Sequence, residues 1–212
     1  SVQAGGSVTV DGRGYAGGGV LGTYKPGSGP GGGPQAGRIG AGSYGGRGGG
    51  TYKPGSLFSF PYGAADAPEA PGSGGGSGYV AYASRGNGGG AIRVHADGTV
   101  AINGSVTANG IEGRGDNNTG GSGGGIFIDC AVLSGTGGIV RANGGGYSAG
   151  GHTSGSGGRI AVIYDPDRQA AAPVPDVVLS AAPGPYADSL GRPIWPYHRA
   201  HCYYGDLGTL YF

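Results

Sequence analysis

The chain of 212 residues holds 57 glycines and 14 prolines, about a third of its length, with 36% hydrophobic residues and a formal net charge of only +1. Disorder requires low hydrophobicity with high net charge, so disorder is excluded as a description of the whole chain. Near-neutrality also removes the electrostatic attraction that nucleic acid or an anionic membrane needs, and no run approaches the ~20 apolar residues of a membrane span.

A chain without Met that starts "SVQAGG" reads as a mature, processed product or an excised segment. Low charge with abundant Gly, Ser, Asn and Tyr fits an extracellular or cell-surface protein. The first strand signal is "SVTV" within "GGSVTVDGRG" from Gly5, which matches "NGSVTANGIEGRG" from Asn103. Residues 13–90 follow, with few strand runs and with "TYKPGS" at 23–28 and again at 51–56. Their glycines are too irregular for collagen, which needs one at every third position. They are expected to pack as extended three-residue-per-turn segments, the competing reading being surface loops.

Next come three alignable runs, "AIRVHA" from Ala91, "GIFIDC" from Gly125 and "RIAVIY" from Arg159. Their first isoleucines, Ile92, Ile126 and Ile160, are 34 residues apart, and so are the "ANG" tripeptides at 108–110 and 142–144. Strand side chains alternate between faces, which places Ile92, Val94, Ile126, Ile128, Ile160 and Val162 inward as a core ladder. Arg93, Phe127 and Ala161 face the other way, as do His95, Asp129 and Ile163. A unit of this length with short strands and a glycine arc cannot bury its face alone and must stack. The fold predicted is all-β: glycine-rich parallel β-solenoid-like coils with polyglycine-type extended segments. Residues 1–165 form the repeat unit, clearest over 91–165. Residues 166–212 form a Pro/aromatic segment, with a strand at "DVVLS" and a last one at "GTLYF", packed on the same domain.

The lines "GNGGGAIRVHADGTVAINGSVTANG", "GGSGGGIFIDCAVLSGTGGIVRANGGG", "GSGGRIAVIYD" and "DLGTLYF" resemble the glycine-rich repeat regions of large bacterial secreted and surface proteins. The resemblance covers about residues 85–165 and the last eight, and residues 1–60 in style. It implies an adhesin-like β-solenoid with a structural or surface role, and it brings no catalytic residues. The Pro/aromatic insert at 166–204 departs from the pattern.

Chemical motifs are weak. "GRGYAG" at 12–17 has the dinucleotide-loop spacing, but the Gly/Pro-rich stretch after it cannot form the helix that would hold a pyrophosphate. Ser122 in "GGSGG" lacks the strand-turn-helix of a nucleophile elbow. Arg114–Asp116 spell an adhesion-type "RGD", more simply a polar loop, and nearby Glu112, Asp116, Asn117 and Asn118 lack the periodicity of calcium-binding repeats. His198, His201 and Cys202 are too few for a structural zinc site, and the 12 acidic residues are scattered rather than paired as glycoside hydrolysis requires. No enzyme activity, cofactor or metal is expected. Cys130 and Cys202 form a possible disulfide, with two buried thiols or a bond between subunits equally open.

The function expected is a secreted structural protein that assembles with copies of itself into a fibre or surface layer. Trp195, Tyr197, Tyr203, Tyr204, Leu210, Tyr211 and Phe212 are the candidate contact residues, for another subunit or for a ligand. The alternative is an adhesin or carbohydrate-binding module using the aromatics of this C-terminal segment to hold glycans; a polysaccharide-active enzyme ranks third.

Overall fold

Alternating Ile and Val after glycine runs form strands wherever a neighbouring strand can take up the backbone groups. The computed structural model describes residues 1–19, 25–34, 40–50, 58–77, 86–114, 118–148, 153–185 and 205–212. Within them the chain runs β1 (Ser7–Thr9), β2 (Ala91–Ala101), β3 (Ser105–Thr107), β4 (Gly113–Arg114), β5 (Gly125–Ser134) and β6 (Thr136–Arg141). It continues through β7 (Tyr147–Ser148), β8 (Arg159–Ile163), α1 (Pro166–Ala170), β9 (Asp176–Ser180) and β10 (Thr209–Tyr211). Two four-stranded parallel sheets, in the orders β1-β3-β6-β9 and β10-β8-β5-β2, carry the architecture, and β4 pairs with β7.

The repeat becomes register. Ile92 lies beside Ile126 and Ile126 beside Ile160, while Val94, Ile128 and Val162 form the next row. In the other sheet Val106 lies beside Val140, and Val140 beside Leu179. These rows, with Ile102, Leu133 and Cys130, join both sheets in one apolar core. Ile126, Ile128, Ile160 and Val162 are fully enclosed.

The all-β succession of solenoid coils with polyglycine-type segments is corrected by this arrangement. Strands dominate but are mixed with the helix α1, and they belong to two separate four-stranded parallel sheets. The reason lies in the spacing: the 34-residue offset relates β2, β5 and β8, β3 to β6 and β4 to β7, but it does not reach the outer strands β1, β9 and β10. β1 pairs with β3 from 98 residues upstream, Ser7 beside Ser105, and β10 pairs with β8 from 50 residues downstream, Thr209 beside Arg159. The described residues of the glycine runs between them carry neither strand nor helix over most of their length.

The "ANG" repeat has a separate cause. Asn109 N–H donates to Asp11 Oδ1 at 2.7 Å, Asn143 N–H to Asn109 Oδ1 at 2.9 Å, and Ala182 N–H to Asn143 Oδ1 at 2.9 Å. Each side-chain oxygen thus satisfies the backbone of the next layer, which a buried amide requires. Asn143→Ala strands the Ala182 amide and the Ser180 hydroxyl, which donates to the same oxygen at 2.8 Å. The expected loss is about 1–3 kcal/mol in denaturant unfolding, with Asn143→Asp, which keeps the acceptor, closer to the parent.

The glycine runs are cross-linked by their own backbones. Gly89 N–H donates to Ser122 O and Gly123 N–H to Ser156 O, each at 2.9 Å. The few side chains within these runs act the same way: Ser122 Oγ accepts from Ser73 N–H at 2.9 Å, Ser156 Oγ from Tyr44 N–H at 3.1 Å, and Asn87 Oδ1 from Gly17 N–H at 2.9 Å. Chains approach so closely that only hydrogen fits between them. A Cβ on Gly158 would lie against the Gly124 carbonyl oxygen.

Candidate functional site

Backbone hydrogen bonds knit the interior, although the buried hydroxyls of Tyr44, Ser77 and Thr153 have no hydrogen-bond partner among the described residues. The polar and exposed apolar side chains considered next lie on the outer face of the β2-β5-β8-β10 sheet and at the two ends of the stack. On the outer face, the Arg93 guanidinium pairs with Glu69 and stands 5.3 Å from the centre of the Phe127 ring. His95 Nδ1 meets Asp129 Oδ2 at 2.9 Å, one strand away, and Asp97 lies on its other side at 3.6 Å. All three side chains are solvated, and an exposed pair of this kind contributes little.

Arg159 is different, for it is buried, and the sequence reading passed over it. Its Nε donates to Tyr62 O at 2.9 Å, one terminal nitrogen donates to Thr209 Oγ1 at 3.0 Å, and Tyr44 lies under the guanidinium at 5.5 Å. Arg159 therefore fastens β10 to the sheet. Tyr44 and Tyr62 pack together with ring centres 4.7 Å apart. Burial pushes the Tyr44 phenol up to about 12, against a lesser downward pull from Arg159, and burial also raises Tyr62. Both groups are thus neutral in the fold at a pH where the unfolded chain ionises. Their contribution to stability is complete below pH ~10, the ordinary tyrosine value, and is lost as pH rises through the folded value. In an alkaline titration followed by tyrosinate absorbance, these two are expected to ionise after the exposed tyrosines and together with unfolding.

Each end of the stack is one strand out of step. At the front, β1 extends its sheet beyond β3, while no described strand lies beyond β2 in the other. The result is an apolar groove of about 190 Å³ lined by residues including Val2, Val8, Ile92, Val94, Val100 and Val106. At the rear, β10 extends its sheet beyond β8, while no described strand lies beyond β9. Exposure follows this stepping. Val8 is 44% exposed where Val106 and Val140 in its row are 3% and 0%, and Leu210 is 46% exposed where Ile160 is 0%. Tyr211, Phe212 and Val178 are also exposed at the rear.

The rear end is partly closed by α1. Asp165 caps it, accepting from Asp167 N–H and Arg168 N–H, and Gln169 uses both amide atoms on the Leu133 backbone, at 2.8 and 3.1 Å. That contact occupies β5 beyond the end of β8.

Of the residues singled out in the sequence, Ile92, Ile126 and Ile160 share one row with Leu210, and Val94, Ile128 and Val162 share another. Tyr211 falls beside Ala161, on the outer face. Trp195, Tyr197, Tyr203, Tyr204, His198, His201 and Cys202 lie outside the described residues, as do Gly115, Asp116 and Asn117. Cys130 is a free thiol enclosed in the core, and burial raises its pKa, which makes it a poor nucleophile. Ser122 is buried and spent on the Ser73 backbone. Among the described residues no group of three or more His, Cys, Asp and Glu side chains has the arrangement of a metal site, and no helix is long and apolar enough to cross a membrane. No protein-family model, curated protein or solved structure matches the chain.

Proposed function

We propose that this is an extracellular structural protein whose copies assemble into a fibre or surface layer. The observation that supports this reading is the pairing of an interior knitted by backbone hydrogen bonds with two ends that, among the described residues, are stepped and apolar. Core-row side chains enclosed in the middle of each sheet are exposed in Val8 and Leu210 of the terminal strands, and beyond β2 and β9 there is no further strand among the described residues. Sheet edges invite strand addition from another chain. Glycine segments knitted by backbone hydrogen bonds supply stiffness without needing charge or a cofactor. Negative-stain electron microscopy of native protein tests the proposal: elongated assemblies are expected, and uniformly discrete particles at high concentration would overturn it.

A second reading, a carbohydrate-binding surface, draws on the exposed rings of Phe60, Tyr211 and Phe212, since flat aromatic area suits sugar contact. Retention on immobilised glycans by protein that does not assemble would favour it.

A further inference from the structure

Resting on the self-assembly reading, we infer that copies join through a lap joint in which β10 of one copy fills the groove between β1 and β2 of the next. The argument is the complementarity of the two steps. The layer formed by β8 and β9 is followed by a half-layer holding β10 alone, in the sheet of β2. The layer formed by β2 and β3 is preceded by a half-layer holding β1 alone, in the other sheet. When the rear of one copy meets the front of another, β10 and the incoming β1 complete one full layer. β10 then pairs with β2, and β9 pairs with β1, both parallel and both continuing ladders that already exist within each copy.

Side chains agree with this register. Leu210 belongs to the row of Ile160, Ile126 and Ile92, so the same spacing carries it beside the partner copy's Ile92 and against its Val8. Leu179, in the row of Val140 and Val106, comes beside Val8. Tyr211 comes beside Arg93, on the side of the guanidinium away from Phe127, where a second cation–π contact is available. No like charges are brought together: the front docking strands, Ser7–Thr9 and Ala91–Val94, carry only Arg93, and the rear docking strands carry only Asp176. Because α1 blocks the arm of β5 past β8, the joint is limited to β10 and β9, which fixes its register. The contact is heterologous, front to rear, and repeats without closing, the geometry of a filament.

Variants blocked at one end test the joint. Val8→Lys disables the front and Leu210→Lys the rear, each by placing an ammonium in an apolar contact, with association weakened ~100-fold or more. Each variant alone is expected to sediment as a monomer, and an equimolar mixture is expected to form a heterodimer and stop there. A peptide spanning residues 205–212, which needs no variant to fold, is expected to cap the front groove and shorten wild-type assemblies. Dimers of Leu210→Lys alone would overturn the joint in favour of a front-to-front contact. Wild-type-like assembly by both variants, unaffected by the peptide, would overturn the joint while leaving the self-assembly reading intact. Wild-type protein that never assembles would overturn that reading and the joint with it.

Discussion

Gly124→Ala is expected to destabilise the fold by about 3 kcal/mol, the upper part of the range for overpacking. A methyl at Gly124 would collide with the Gly90 carbonyl oxygen and crowd Gly89. Neither neighbour is free to retreat. Gly90 N–H donates to Val10 O at 2.8 Å, Gly89 N–H donates to Ser122 O at 2.9 Å, and Gly124 N–H itself donates to Ala108 O at 2.8 Å. Any shift therefore lengthens several buried hydrogen bonds at once. Gly98→Ala is the matched comparison, because an added Cβ there meets nothing within 4 Å. It is expected to be neutral or slightly stabilising, since alanine loses less chain entropy than glycine on folding. Denaturant unfolding of the two variants separates the close-approach account from a general intolerance of substitution.

Ile126→Ala is expected to cost about 3 kcal/mol, within the span measured for deleting a buried aliphatic side chain. Ile126 is fully enclosed and stands between Ile92 and Ile160 in the central row. A cavity at that point has ladder neighbours on both sides that are held by their own strands, so little collapse is available to fill it. Leu210→Ala, in the same row but 46% exposed, is expected to lower monomer stability by less than about 1 kcal/mol. The contrast between the two measures how far the core row thins toward the open end.

Part of this architecture was legible in the sequence, and the reasons it stopped being legible are specific. Three isoleucines and two "ANG" tripeptides at one offset identify β2, β5 and β8 as parallel neighbours, because a strand ladder repeats the same residue types in register. The expectation of solenoid coils failed where that offset fails. Asp11 occupies the same kind of position as Asn109 and Asn143, but it is written "VDG" and lies 98 residues before Asn109. The helix had a readable signal in Asp165-Pro166-Asp167, an N-cap followed by Pro at the first helical position, and its single turn was absorbed into the Pro/aromatic segment. Arg159 was hidden by its place at the mouth of a strand, where alternation predicts only an outward side chain. What covers it, Tyr44 and Tyr62, comes from a stretch with no strand periodicity. Which glycine run lies against which is set by contacts between backbones, and backbones leave no mark on residue identity.

The stepped ends, finally, emerge only from the sheet order, because each depends on a strand that, among the described residues, has no partner in the other sheet at its own level. Sedimentation velocity of the wild-type chain over a dilution series from micromolar to nanomolar tests their consequence most directly. The account predicts a broad distribution of species whose average size grows continuously with concentration, as front-to-rear addition without closure requires. A single monomer boundary at every concentration, or one closed oligomer of fixed size, would contradict it.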